Sequence, residues 1–211
     1  MRPHFVPALA CMLALFIVTT AHAGPPAVCH PIDIGDATSL PMGQGPVQPD
    51  KAYDRDRLIA DTLTILDESD DPLVHIETLR RATVYVRKDR RQAKRLLEAV
   101  LARTRPEGAS ANALVWLDAG FLAQALRQGE VRIDKDLGAR KNITGYAWMH
   151  KAIELEPNDA RYEFAAAIVT VMDNSRLHRS HVKRANALAE KDSLVARNLA
   201  HHQQQYWHHF R

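Results

Sequence analysis

From Lys51 almost to the C-terminus, apolar residues recur at three- and four-residue intervals, the spacing of one face of an α-helix. This period predicts seven helices. The first covers 51–68, with Leu58, Ile59, Leu63 and Leu66 on one face, and the second 72–88, with Ile76, Leu79, Ala82, Thr83 and Val86 inward. The third, 90–104, buries Ala93, Leu96, Leu97, Val100 and Leu101; the rest cover 110–127, 143–155, 159–172 and 179–209. The punctuation agrees with these bounds. Asp50, Asp71, Asp89, Ser110 and Asp159 stand where N-caps belong, because a short oxygen-bearing side chain can accept from the unpaired first N–H groups of a helix. Pro72 suits the first helical position. Pro106 with Gly108, Gly129 and Pro157 serve as stops, and 129–141 reads as a charged surface loop. The only strand-like cluster, Val84-Tyr85-Val86, falls inside a helical period. The expected class is all-α, built of antiparallel helix hairpins.

The first fifty residues differ. Arg2 and His4 precede an apolar run, 5–20, and Ala21-His22-Ala23 places small residues at the −3 and −1 positions of a cleavage site. This is the pattern of a secretory signal peptide, 1–23, and the apolar run falls short of the ~20 residues that a spanning helix needs. The expected product is exported, periplasmic or secreted, with no membrane span after cleavage. Residues 24–50 hold six of the 11 prolines and four of the nine glycines and carry no helical period, which predicts an extended arm ahead of a helical domain, 51–211.

Length and charge narrow the classes. With 211 residues, 46% hydrophobic and 25% charged, the chain suits one globular domain. A net charge of +3 gives no bulk attraction to nucleic acid. The distribution is uneven: 50–77 carry nine acidic and three basic residues, and 80–105 carry ten basic and two acidic. Arg87, Lys88, Arg90 and Arg91 surround one inter-helix turn, a patch able to attract an anionic partner. The alternative is a solvated face paired with the acidic first helix.

Short helices joined by tight turns invite a search for repeats. Gly145, Met149, Ala152 and Pro157 stand at offsets 0, 4, 7 and 12, and Trp116, Ala119 and Gly120 at offsets 0, 3 and 4. The span 145–167 resembles the second half of a tetratricopeptide repeat and the entry into the next, with 116–120 as the matching first half. Ala123 stands where that family prefers Tyr, and an insert coinciding with the charged loop separates the halves. An earlier unit, 72–106, carries Leu79, Ala82, Tyr85, Ala93, Leu97 and Pro106 with a one-residue slip; the last unit departs at Arg179. The segment 147–152, AWMHKA, is also similar to the second helix of Sel1-like repeats. The resemblance implies a right-handed solenoid of helix hairpins. It also implies a concave, peptide-binding groove faced by Leu117, Phe121 and Gln124 of one helix and Phe164, Ile168 and Met172 of another. The alternative is that the last helix or the arm covers that surface.

Candidate chemistry is sparse. Loss of Cys11 with the signal leaves Cys29, which cannot form an internal disulfide; Cys29-His30 lacks the second cysteine of a haem-attachment motif. His178 and His181 have helical metal-ligand spacing, whereas His201 and His202 lie six to eight residues from His208 and His209, too far to pair within one turn. No nucleophile-elbow, zincin, phosphate-loop or dinucleotide motif occurs. The sequence therefore points to an exported interaction module or scaffold for a protein or peptide partner, without a cofactor, a catalytic residue or a dedicated metal site. The second reading is an exported protein that binds a metal or an anion through the histidine-rich C-terminus or the basic turn.

Overall fold

A computed structural model describes residues 24–105, 112–131 and 145–206. Within these residues the chain is all-helical, with one isolated bridge between Met42 and Pro49 and no strand. The leader 1–23, Pro106, Gly108, Ser110 and most of the loop 129–141 lie outside the described residues.

The arm contains a short helix, α1 (Pro26–Cys29), and then runs irregularly to a 3₁₀ turn at Arg55–Arg57 that leads into α2 (Leu58–Glu68). The main helices follow as α3 (Pro72–Val86), α4 (Arg90–Ala102), α5 (Ala113–Gln128), α6 (Gly145–Leu155) and α7 (Ala160–Thr170). The chain closes with α8 (Ser175–Leu188) and α9 (Leu194–Tyr206). Asp71, Asp89 and Asp159 cap α3, α4 and α7 as expected. Two cap expectations need correction. Asp50 accepts from the Ala52 amide in a turn, and Asp54 caps the 3₁₀ lead-in instead. Asn112, not Ser110, caps α5.

The helix expected over 179–209 is two helices. Asn174 caps α8 four residues earlier than the pattern suggested. The break falls at 189–193, where Ala189 is extended and Asp192 has φ 62°, a left-handed conformation that Asp tolerates better than most residues. Ser193 Oγ then accepts from the Ala196 amide and starts α9.

α3, α5 and α7 form the interior: α3 packs on α5 and both pack on α7. The stretch 164–169 of α7 is apolar on every side, with Phe164, Ala165, Ala166, Ala167, Ile168 and Val169 fully buried, as a helix enclosed by protein should be. The amphipathic α4, α6 and α8 cover them, with α4 and α6 on α5 and α8 on α7. α5 and α6 approach most closely at two glycines. A Cβ on Gly120 would stand 2.7 Å from the Gly145 carbonyl oxygen, and one on Gly145 would stand 2.6 Å from that of Gly120. Gly145 thus serves close helix approach.

The arm is not a free extension. Ala27, Val28, Ile32, Ile34 and Leu40 are buried, and α1 rests on α3, α5 and α7. Where its irregular backbone lacks internal partners, side chains of the body satisfy it. Gln128 accepts from the Ala27 amide at 3.0 Å, Glu77 from Ile32 at 3.0 Å and Asn198 from Asp33 at 2.8 Å. In return, Arg80 donates to the carbonyls of Val28 and Pro46, Arg81 to that of Leu40 and Tyr85 to that of Pro41. Arg80 and Arg81 therefore leave the exposed basic surface in which the sequence counts them.

Candidate functional site

The inner face of α5 and α7 is filled by the chain itself. Leu117, Phe121, Phe164 and Ile168 are fully buried and Gln124 nearly so; of the six groove residues implied by the repeat resemblance, Met172 alone is open, at 50% exposure. Gln124 packs on Gly145 of α6, and two further elements cover other parts of the face. α1 lies against α5 and α7, where Gln128 ties the Ala27 amide to the Ile168 and Val169 carbonyls. α9 crosses α7 and sets the His202 ring edge-on to Phe164 at 6.1 Å. The covered-groove alternative describes this face.

The basic turn is different. Arg87, Lys88, Arg90 and Arg91 are all exposed, between the end of α3 and the first turn of α4. α3 ends there because the Asp89 side chain accepts from Gln92 N and begins the next helix. Clefts open on both sides of the turn. The first, of about 370 Å³, has Arg87 and Lys88 on one wall, Pro25, Val28 and Cys29 of the arm on another, and Gln128, Gly129 and Glu130 beneath α5. The second, of about 300 Å³, is lined by Arg55, Asp56, Asp89, Arg91, Gln92 and Arg95. Of the acidic first segment, Asp56 lines this second cleft together with Arg91, whereas Asp67 meets Arg103, at the far end of α4.

Cys29 is a free, half-buried thiol in the first cleft. Burial pushes its pKa above the ordinary thiol value; Arg87 and Arg80 pull it down without reversing the shift. The thiol thus marks the cleft more than it powers a reaction there.

Two polar clusters that the sequence did not bring together lie deeper. His75, fully buried, places Nδ1 2.7 Å from Asp118 and Nε2 2.7 Å from the Ser69 carbonyl. Both partners only accept, so the ring donates twice and carries a positive charge. Asp118 also pairs with Arg103, which reaches Asp67 at 2.7 Å. Burial opposes the charge on His75, but the field of Asp118 and the two hydrogen bonds outweigh it and raise the pKa. A raised histidine pKa stabilises the fold fully below the unfolded value of 6.5 and ceases to do so as pH rises through the folded value. Melting temperature measured upward from pH 6 is expected to fall through that interval in the parent and to lose this component in His75→Gln. A parent profile without such a component would contradict the doubly donating ring.

The second cluster gathers His30, His178, His201 and His202. His181, three residues from His178, turns to Glu163 at 2.6 Å and to the Tyr146 hydroxyl at 2.9 Å, so the pair does not share a ligand. Among the described residues no three His, Cys, Asp or Glu side chains are grouped to hold a metal ion; His208 and His209 lie outside them. No helix among the described residues is long and apolar enough to cross a membrane.

Compared with known proteins, the chain matches no family model, no curated protein and no solved structure. The likeness to tetratricopeptide and Sel1-like repeats rests on the residues quoted for it.

Proposed function

We propose that this protein is an exported helical-repeat interaction module that docks an acidic protein segment on the basic turn between α3 and α4. The observation that carries this reading is the placement of Arg87, Lys88, Arg90 and Arg91: four exposed cations on one turn, opening onto a cleft on each side. Like charges gathered in one place repel one another and contribute little to folding. An anionic partner would relieve that repulsion and gain attraction from the cluster, with Arg87 and Lys88 lining one cleft and Arg91 the other. The repeat character is supported by the succession of helix pairs α3/α4, α5/α6 and α7/α8, with α3, α5 and α7 on the inside, and by the Gly120–Gly145 contact at motif positions. The module is a right-handed solenoid in this reading, with its concave face already occupied by residues of its own arm, so the partner takes the end of the array instead.

Immobilised poly-L-glutamate is the direct probe. The double variant Arg87→Glu, Arg91→Glu is expected to bind it at least about tenfold more weakly than the parent, with an unchanged melting temperature, because both side chains are exposed. Parent binding is expected to fade with added salt, since screening at 0.1 M acts over ~10 Å. Equal binding by parent and variant would overturn the assignment. Binding to vesicles of anionic phospholipid in preference to poly-L-glutamate would replace the protein partner by a lipid surface.

A further inference from the structure

Imidazoles from three separate segments meet where the arm joins the body. His30 ends α1, His178 projects from α8, and His201 and His202 from α9. The His30 ring centroid lies 4.7 Å from that of His201 and 5.4 Å from that of His202, and His178 lies 5.2 Å from His202. His30, His178 and His202 are fully buried.

The hydrogen bonds fix where the protons sit. Gln205 links two of the rings: its Nε2 is 2.8 Å from His201 Nε2, and its Oε1 is 2.8 Å from His30 Nδ1. The amide nitrogen donates, so His201 accepts; the amide oxygen accepts, so His30 donates from Nδ1. The relay runs in one direction and holds with both rings neutral. His30 Nε2 has no hydrogen-bond partner among the described residues. An added proton would settle on that atom, inside the protein.

The surroundings oppose the added charge. α3 presents Arg80 and Glu77, but Glu77 already accepts from Arg80 and Arg81. α9 presents His201, His202 and the Tyr206 hydroxyl, which donates to the Gly24 carbonyl; α7 presents the Phe164 ring beside His202, and α5 the neutral Gln128. Cys29, next in the chain, is uncharged in its raised-pKa state.

We propose that this cluster is an acid-sensitive latch: protonation of His30 expels it from between α3 and α9 and frees residues 24–34 from the helical body. Burial, first, lowers its pKa from 6.5 to about 4; the Gln205 hydrogen bond resists this, His201 and Arg80 add to it, and Glu77 resists it weakly. A lowered histidine pKa stabilises the closed arm above 6.5 and ceases to do so as pH falls toward about 4. Within that interval each pH unit multiplies the opening equilibrium of the arm by up to about ten. The freed segment carries Pro25, Val28 and Cys29, one wall of the basic cleft. Opening therefore reshapes that cleft, but the latch does not depend on what the cleft binds.

Hydrogen exchange of the full chain reads the latch at two amides of the arm, Ile32, bound to Glu77, and Asp33, bound to Asn198. After correction for intrinsic exchange rates, their protection is expected to fall by up to about a hundredfold from pH 6.5 to 4.5, while the amides of 96–101 in α4 keep theirs. His30→Gln, which cannot take up the proton, is expected to flatten the profile. Gln205→Glu, which sets a carboxylate against His30 and stabilises the charged ring in place, is expected to flatten it as well, so the test survives if one variant fails to fold. A level profile in the parent would overturn the latch, and so would an equal fall in a folded His30→Gln.

Discussion

Replacing Gly120 by alanine is expected to lower stability by about 3 kcal/mol, the upper part of the range for overpacked sites. Alanine favours a helix over glycine by up to ~1 kcal/mol, so propensity alone predicts the opposite sign. The clash wins because of what the new Cβ meets. It would stand 2.7 Å from the Gly145 oxygen and from the Met149 nitrogen, and 3.1 Å from Met149 Cα. All three are backbone atoms of α6, and none can rotate aside. α5 and α6 would have to separate along a contact in which the Met149 backbone meets Gly120. For a chain of this length the melting temperature should drop by roughly 6–12 °C. Gly145→Ala should behave alike, since its Cβ would meet the Gly120 oxygen at 2.6 Å. Unchanged melting of both variants would mean that the two helices do not meet at these glycines.

Glu77→Ala is expected to cost more, about 3–5 kcal/mol, a large share of a typical stability of ~5–15 kcal/mol. Glu77 is buried and accepts four hydrogen bonds: Ile32 N at 3.0 Å, Arg80 Nε at 2.7 Å, Arg80 Nη2 at 2.9 Å and Arg81 Nε at 2.6 Å. Its removal strands the Arg80 guanidinium, itself buried, without a counter-charge. The arm should also become sensitive to protease, because Arg80 grips the Val28 and Pro46 carbonyls. The diagnostic comparison is Glu77→Leu with Arg80→Met. Removing both charges is often nearly neutral, so the double variant should be more stable than Glu77→Ala by urea unfolding. The reverse order would show that the ion pair is not the element that matters.

The helices were legible in the sequence because their signals are local. Apolar spacing placed α3 to α7 and the end of α2 to within a few residues, although the expected start of α2 at 51 falls seven residues ahead of Leu58. Asp71, Asp89 and Asp159 are caps that need only the next turn of chain. The α8–α9 break was missed because Glu190-Lys191-Asp192 reads equally well as the wet face of a continuous helix; the left-handed Asp192 is what separates them. Long-range relations were not legible. The period of α5 shows that Leu117 and Phe121 share a face, but not that α1 and α9 close over the interior. Counting charges put Arg80 and Arg81 in the basic stretch 80–105, although Glu77, three and four residues away, holds both. His30 and Gln205 meet across 175 residues, and no spacing rule reaches that far.

Cys29 reports on the central claim, that an acidic segment docks at the basic turn, because it shares a cleft with Arg87 and Lys88. The measurement is its alkylation rate at fixed pH 7.5, followed on the Cys29 peptide by mass spectrometry, with and without saturating poly-L-glutamate. Docking at the turn predicts that alkylation slows several-fold in the parent and is unaffected in Arg87→Glu, Arg91→Glu. Tight binding of poly-L-glutamate that leaves the alkylation of Cys29 in the parent unchanged would contradict it.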